Sequence, residues 1–113
     1  MPTTSKRSYA RYTIAAVKVL GNLIQLERKS RKMPAEELAA RIGVTRNTLS
    51  RLERGDPKVE LGIAFEACTM LGIRLFDDDL PAMTFRNEEL QKRLTLLPKY
   101  ARPLKAKAVD DDF

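Results

Sequence analysis

Between residues 13 and 72 apolar side chains recur at intervals of three and four, the spacing of helices that bury one face. The first helix is predicted to run from a Thr13 cap to about Arg31. Ile14, Val17, Leu20 and Ile24 point inward, with Leu23 beside them. Arg28 continues that stripe, and a charge on an apolar face needs a partner. A second helix occupies MPAEELAARIGV, residues 33–44. Pro34 suits its first turn, Glu36 and Glu37 its positive dipole end, and Gly43 its exit. Leu38, Ala39 and Ile42 form its buried stripe, and the small Ala39 lets another helix cross closely. Thr45 caps a third helix that leaves at Gly55, and Val44 can staple against Leu49. A fourth starts near Leu61 and ends at Gly72. Leu61, Ala64, Phe65, Cys68 and Leu71 make its stripe, widened by Ile63, Ala67 and Met70.

Past Gly72 the pattern thins. IRLF, residues 73–76, alternates, as a short strand or as the start of a short helix interrupted at Pro81. The acidic run 77–79 reads as a solvated turn. Asn87 is predicted to cap a last helix through Leu97, whose Leu90, Leu94 and Leu97 form a narrow seam suited to a partner subunit. The fold class that results is all-α: a small helical bundle, with one short strand or an extra helix added for dimerisation. It divides into a basic arm (1–12), a helical domain (13–72), a dimerisation or partner-docking extension (73–97) and a tail (98–113).

The third helix, within VTRNTLSRLERG at residues 44–55, separates into two faces. At about 100° per residue, Arg46, Asn47, Ser50, Arg51 and Arg54 share an arc of roughly 140°, while Thr48, Leu49 and Leu52 face the other way. No acid lies on the outer arc. Arg offers a two-pronged donor to guanine, and Asn can pair with adenine, so such a face can read base edges. An ordinary solvated surface would look similar on one helix alone. Two short helices meeting at a Gly-Val-Thr turn favour the former, because this is a helix-turn-helix pattern. The base-reading candidates are Thr45, Arg46, Asn47, Ser50 and Arg51. Lys29, Lys32, Arg54 and Lys58 are placed to neutralise phosphates.

The run GNLIQLERKSRKMPAEELAARIGVTRNTLSRLERGDPKVELG, residues 21–62, resembles the Cro/Xre class of helix-turn-helix domains, lambda-repressor-like in fold. Within that class it is most similar to the HipB-like antitoxins. The resemblance implies a homodimer that binds near-palindromic double-stranded DNA, represses its own operon and binds a HipA-type kinase toxin. It also implies that Arg28 pairs with Glu53, that Lys58 touches phosphate and that residues after Gly72 join two subunits. Ile73, Leu75, Phe76, Leu90 and Leu94 are the candidates for that contact. One departure stands out: the family's Thr-Gln at the start of the second helix is Pro34-Ala35 here, so the phosphate contact or brace made by that Gln is missing. A free-standing dimeric regulator of the same class, with no toxin, would carry the same motifs.

Charge sharpens this picture. The net charge is +6, yet residues 1–60 hold 13 Lys and Arg against 6 acids, and residues 61–113 hold 8 against 9. The basic excess therefore accompanies the helix-turn-helix, as a phosphate-binding surface requires. His is absent and Cys68 is the single cysteine, which excludes an intramolecular disulfide, His-based acid–base catalysis and ordinary zinc sites. With no phosphate-cradling loop either, the expectation is a non-enzymatic protein without cofactor or metal. Cys68 itself reads as a small core residue. No apolar stretch approaches transmembrane length, so the reading places the protein in the cytoplasm, off the membrane. The arm 1–12 can lie along DNA or remain a solvated tail. At the other end, Asp110, Asp111, Asp112 and Phe113 join three charges to one aromatic. They are a peptide that docks on the toxin, a solubilising tail, or a segment that folds loosely back on the basic face.

Overall fold

Side-chain caps at Thr45 and Asp79 and left-handed glycines at Gly43, Gly55 and Gly72 account for half of the helix ends in the computed structural model, which describes residues 8–98. The elements are α1 (Arg11–Ser30), α2 (Ala35–Ile42), α3 (Arg46–Glu53), α4 (Leu61–Leu71) and α5 (Leu80–Thr95). No strand occurs among the described residues, so the alternation at 73–76 does not become one; that segment is the bend between α4 and α5. The chain divides into two units between Leu75 and Phe76.

In the first unit, α2 packs against α3 and α4, and α1 packs against the same two helices. Ile24, Leu38, Ala39, Leu49, Leu52, Ala67, Cys68 and Leu71 are buried at the centre, with Ala64 at its edge. Leu20, Ile42, Val44, Ile63 and Ile73 pack around them. Two glycines permit this arrangement. Gly43 adopts φ 75°, a left-handed conformation that L side chains resist, and the following Val44 N–H donates to Ala39 O at 2.9 Å, satisfying a carbonyl at the end of α2. Gly21 matters for space. A Cβ there would lie 2.6 Å from Glu53 O and 2.7 Å from Leu52 O, so α1 and the end of α3 cross in near backbone contact.

Several expected boundaries and faces change. α1 begins at Arg11 behind an extended Ala10, and Thr13 lies inside its first turn instead of capping it. An exposed helix start can leave its first amides to water, so no side-chain cap is required. The core begins at Leu20, which leaves both Ile14 and Leu23 exposed. Leu61 is likewise exposed, because α4 turns Ala64, Ala67, Cys68 and Leu71 inward.

The second unit corrects the largest error. Asn87 does not cap the last helix. Asp79 does, its Oδ1 accepting from Ala82 N–H at 2.9 Å, and Pro81 sits in the first turn. Proline interrupts a helix only beyond that turn, where its missing donor and its ring would matter. The acidic run therefore serves α5: Asp79 caps it, and Asp78 pairs with Arg86 at 2.7 Å. Asp110, Asp111, Asp112 and Phe113 lie outside the described residues.

Candidate nucleic-acid interface

The turn between α2 and α3 orients the candidate face. Thr45 Oγ1 accepts from Thr48 N–H at 3.1 Å and donates to Thr48 Oγ1 at 3.1 Å. Thr48 thus closes the cap where Glu or Gln would complete a capping box. Held this way, Thr45, Arg46 and Asn47 stand exposed at the first turn of α3. Leu49 and Leu52 anchor the opposite side in the core.

Beneath that face lies a buried ion pair. Arg28 Nε donates to Glu53 Oε2 at 2.8 Å and Arg28 Nη2 to Glu53 Oε1 at 3.0 Å, a two-pronged contact. Arg28 Nη1 also donates to Met33 O at 2.9 Å. The hydrogen bond to Glu53 holds the guanidinium above its ordinary pKa against the opposing effect of burial. So the apolar stripe of α1 tolerates Arg28 because one carboxylate and one carbonyl satisfy it. The pair also ties α1 to the end of the outward helix.

A groove of about 560 Å³ opens over this pair, and Lys29 reaches it from α1 while Arg46, Asn47 and Ser50 line it from α3. Glu53 is the acid in its lining, and Arg28 neutralises it. An adjoining depression brings Arg54 together with Lys18, Asn22 and Gln25. Sequence reading overlooked these three α1 residues. Their signal was a polar stripe at positions 18, 22, 25 and 29, helical in spacing and displaced from the apolar one. Gln25 is notable beside Ala35 in the groove, where the helix that follows Pro34 supplies no polar side chain.

The remaining candidates are distributed differently. Arg54 Nη1 donates to Ser50 Oγ at 2.7 Å, which aligns two residues of the outer arc. Arg51 is half-buried, its Nε donating to Asp56 Oδ2 at 2.8 Å. Asp56 Oδ1 accepts from Lys58 N–H at 2.9 Å, so one carboxylate links α3 to the loop that carries Lys58. The Arg51 hydrogen bond, then that of Lys58, holds the Asp56 carboxyl below its usual range. Arg46 lies 3.3 Å from Glu36, with both side chains exposed. Lys32 is exposed in the α1–α2 turn with φ 56° and lines neither depression. Among the residues expected at a subunit contact, Ile73 packs against the core of the first unit. Leu75 is exposed, as are Phe76, Leu90 and Leu94 of the second unit.

A family model described as helix-turn-helix matches residues 24–77, from the middle of α1 to just past α4. Residues 24–77 are a Cro/Xre-type helix-turn-helix domain. Its second and third helices, α2 and α3, are the pair joined by the capped turn, and α3 is the helix with the exposed basic face. A helix-turn-helix domain of this kind suggests a DNA-binding transcriptional regulator. No curated protein matches the chain. No helix among the described residues is long and apolar enough to cross a membrane.

Lys58 provides a direct check on how the domain meets the phosphates. Its side chain is exposed at the end of the loop braced by Asp56. Lys58→Ala is expected to weaken binding to all DNA sequences alike and to lower the log–log salt slope by about 0.9. Titrations at several salt concentrations measure this, and a changed sequence preference would instead make Lys58 a base reader.

Proposed function

We propose that this protein is a homodimeric repressor that recognises a near-palindromic operator in double-stranded DNA, and that it is the antitoxin of a HipA-type kinase toxin encoded in the same operon. One observation carries the DNA reading: Arg46 and Asn47 are exposed at the first turn of α3, over a groove whose acid is already neutralised by Arg28. In this reading Thr45, Arg46, Asn47, Ser50 and Arg51 contact bases, and Lys29, Lys32, Arg54 and Lys58 contact phosphates. One such helix reads only a few base pairs, so two copies, with half-sites about one helical turn apart, supply usable specificity.

Arg46→Ala is expected to cost about 1–3 kcal/mol of operator affinity and to relax specificity at one base position. Gel shifts on the protein's own upstream DNA, with single-base variants of the site, measure both effects. Full affinity with full discrimination would overturn the assignment of Arg46.

The antitoxin part rests on the resemblance of residues 21–62 to HipB-like antitoxins. Under it, Asp110, Asp111, Asp112 and Phe113 dock on the toxin and leave α3 available to DNA. A free-standing Cro/Xre-type regulator would share every DNA contact and lack the kinase. Pull-down of the native protein separates the two: a co-purifying kinase supports the antitoxin reading, and a regulator recovered only with its DNA overturns it.

A further inference from the structure

Among the described residues, none of those in α5 is buried, although the helix carries an apolar seam broken once, by Asn87. Leu80, Met83, Asn87, Leu90, Leu94 and, just beyond the helix end, Leu97 follow one another at steps of three and four. A helix that covers a globular core shows a broad stripe near period 3.6. A narrow seam of period 3.5 marks a helix that supercoils with another helix. Leu80 is 77% exposed and Leu94 65%, and Leu90 and Leu97 are exposed with them, so the seam is open apart from the half-buried Met83.

We propose that this seam binds the same seam of a second copy of the chain, as a parallel two-stranded coiled coil with Asn87 facing Asn87. The proposal rests on the homodimeric reading above and specifies the surface, orientation and register. Three observations fix the occupant as a second copy in parallel orientation.

The first is the amide at the centre of the seam. Two Asn side chains at one core position hydrogen-bond to each other, a device that sets register and a two-stranded state. In an antiparallel pair centred on the same segment, Asn87 would face Leu90 instead. Its buried amide would then lack a partner, at a substantial penalty.

The second is shape. A depression of about 430 Å³ on this unit is lined by Met83, Arg86, Asn87 and Leu90, together with Phe76 and Thr84. The first four, at i−4, i−1, i and i+3 about Asn87, form the four-residue hole that receives a side chain from the matching position of a parallel partner.

The third is charge along the seam's edges. Arg86 and Arg93 flank one side, and Thr84 and Gln91 the other. A parallel pair sets Arg86 against an uncharged Gln91, and Asp78 already holds the Arg86 guanidinium at 2.7 Å. An antiparallel pair would bring Arg93 of the other chain beside Arg86, adding a second cation where Asp78 alone balances the first.

The seam covers two and a half heptads, too short for a strong isolated coil. The test therefore uses the full chain. In a Cys68→Ala background, Leu94→Cys and separately Leu80→Cys are oxidised mildly at micromolar concentration and run on non-reducing gels. Phe85→Cys, on the side of α5 away from the seam, is the control. Because α5 residues are not buried, these substitutions leave the helix-turn-helix core intact. A parallel coil places like positions within disulfide reach, so most Leu94→Cys and Leu80→Cys protein is expected as covalent dimer and little of the control. In the antiparallel pair the two copies of residue 94 are about 16 Å apart along the axis and do not cross-link. Light scattering is run on the same samples. A dimer by mass without these cross-links overturns the α5 coil and leaves the homodimer standing; a monomer, both alone and on DNA, overturns both. Asn87→Leu adds a readout specific to the polar layer: the mass should rise above that of a dimer as two-stranded selectivity is lost, and an unchanged dimer would count against the Asn87 pair.

Discussion

Glu53→Ala is expected to remove about 3–5 kcal/mol of stability, because it strands the buried charge of Arg28. Both residues are only 8% exposed, and Glu53 supplies two of the three hydrogen bonds that the Arg28 guanidinium makes. A domain of this size has roughly 5–15 kcal/mol in total, so the variant should be close to unfolding at ordinary temperature. Chemical denaturation followed by circular dichroism gives the number directly. The cause is the orphaned charge and not the lost attraction, and a double variant distinguishes them. Arg28→Met with Glu53→Leu should recover most or all of the stability, since well-packed apolar pairs often replace buried ion pairs at no loss. A single variant that stays within about 1 kcal/mol of the parent would show that water reaches Arg28 and that the pair is not structural.

The second large effect is expected at Gly21. A methyl group there meets two carbonyl oxygens of the α3 backbone at 2.6 and 2.7 Å, closer than any Cβ contact tolerates. Backbone cannot swing aside as a flexible side chain can, so Gly21→Ala must push α1 away from α3. We expect a loss of about 2–3 kcal/mol net of the helix-propensity gain of about 1 kcal/mol. Gly62, near the start of α4, is the contrasting case, with no atom within 4 Å of an added Cβ. Gly62→Ala should be neutral or stabilising by up to about 1 kcal/mol. Thermal melts of the two variants side by side decide the matter. Equal behaviour at both positions would mean that the α1–α3 crossing is looser than described.

The same crossing explains what could be read ahead of the structure. Apolar spacing, Gly43 and Thr45 located the end of α2, the turn and the start of α3, because such residues act through the backbone within one turn of themselves. Pro34, by contrast, precedes α2 as its N-cap and does not open its first turn. The resemblance supplied the Arg28–Glu53 pair, which links residues 25 positions apart and leaves no local trace beyond a charge on an apolar stripe. The α1 residues Lys18, Asn22 and Gln25 were missed because their role depends on which side of α1 borders the groove, a fact of packing. Pro81 was misread for a different reason: its meaning reverses with its distance from the helix start. Only the Asp79 cap shows that it belongs to the first turn.

Cys68 has a practical consequence. It is the chain's single thiol, it is 2% exposed, and burial pushes its pKa up. A thiol reagent in solution can reach it only when α4 separates from its neighbours, so the labelling rate follows the population of opened molecules. The wild-type sequence thus contains its own clock for fluctuations of the helix-turn-helix core, and bound DNA should slow that clock in proportion to how firmly it holds the closed form.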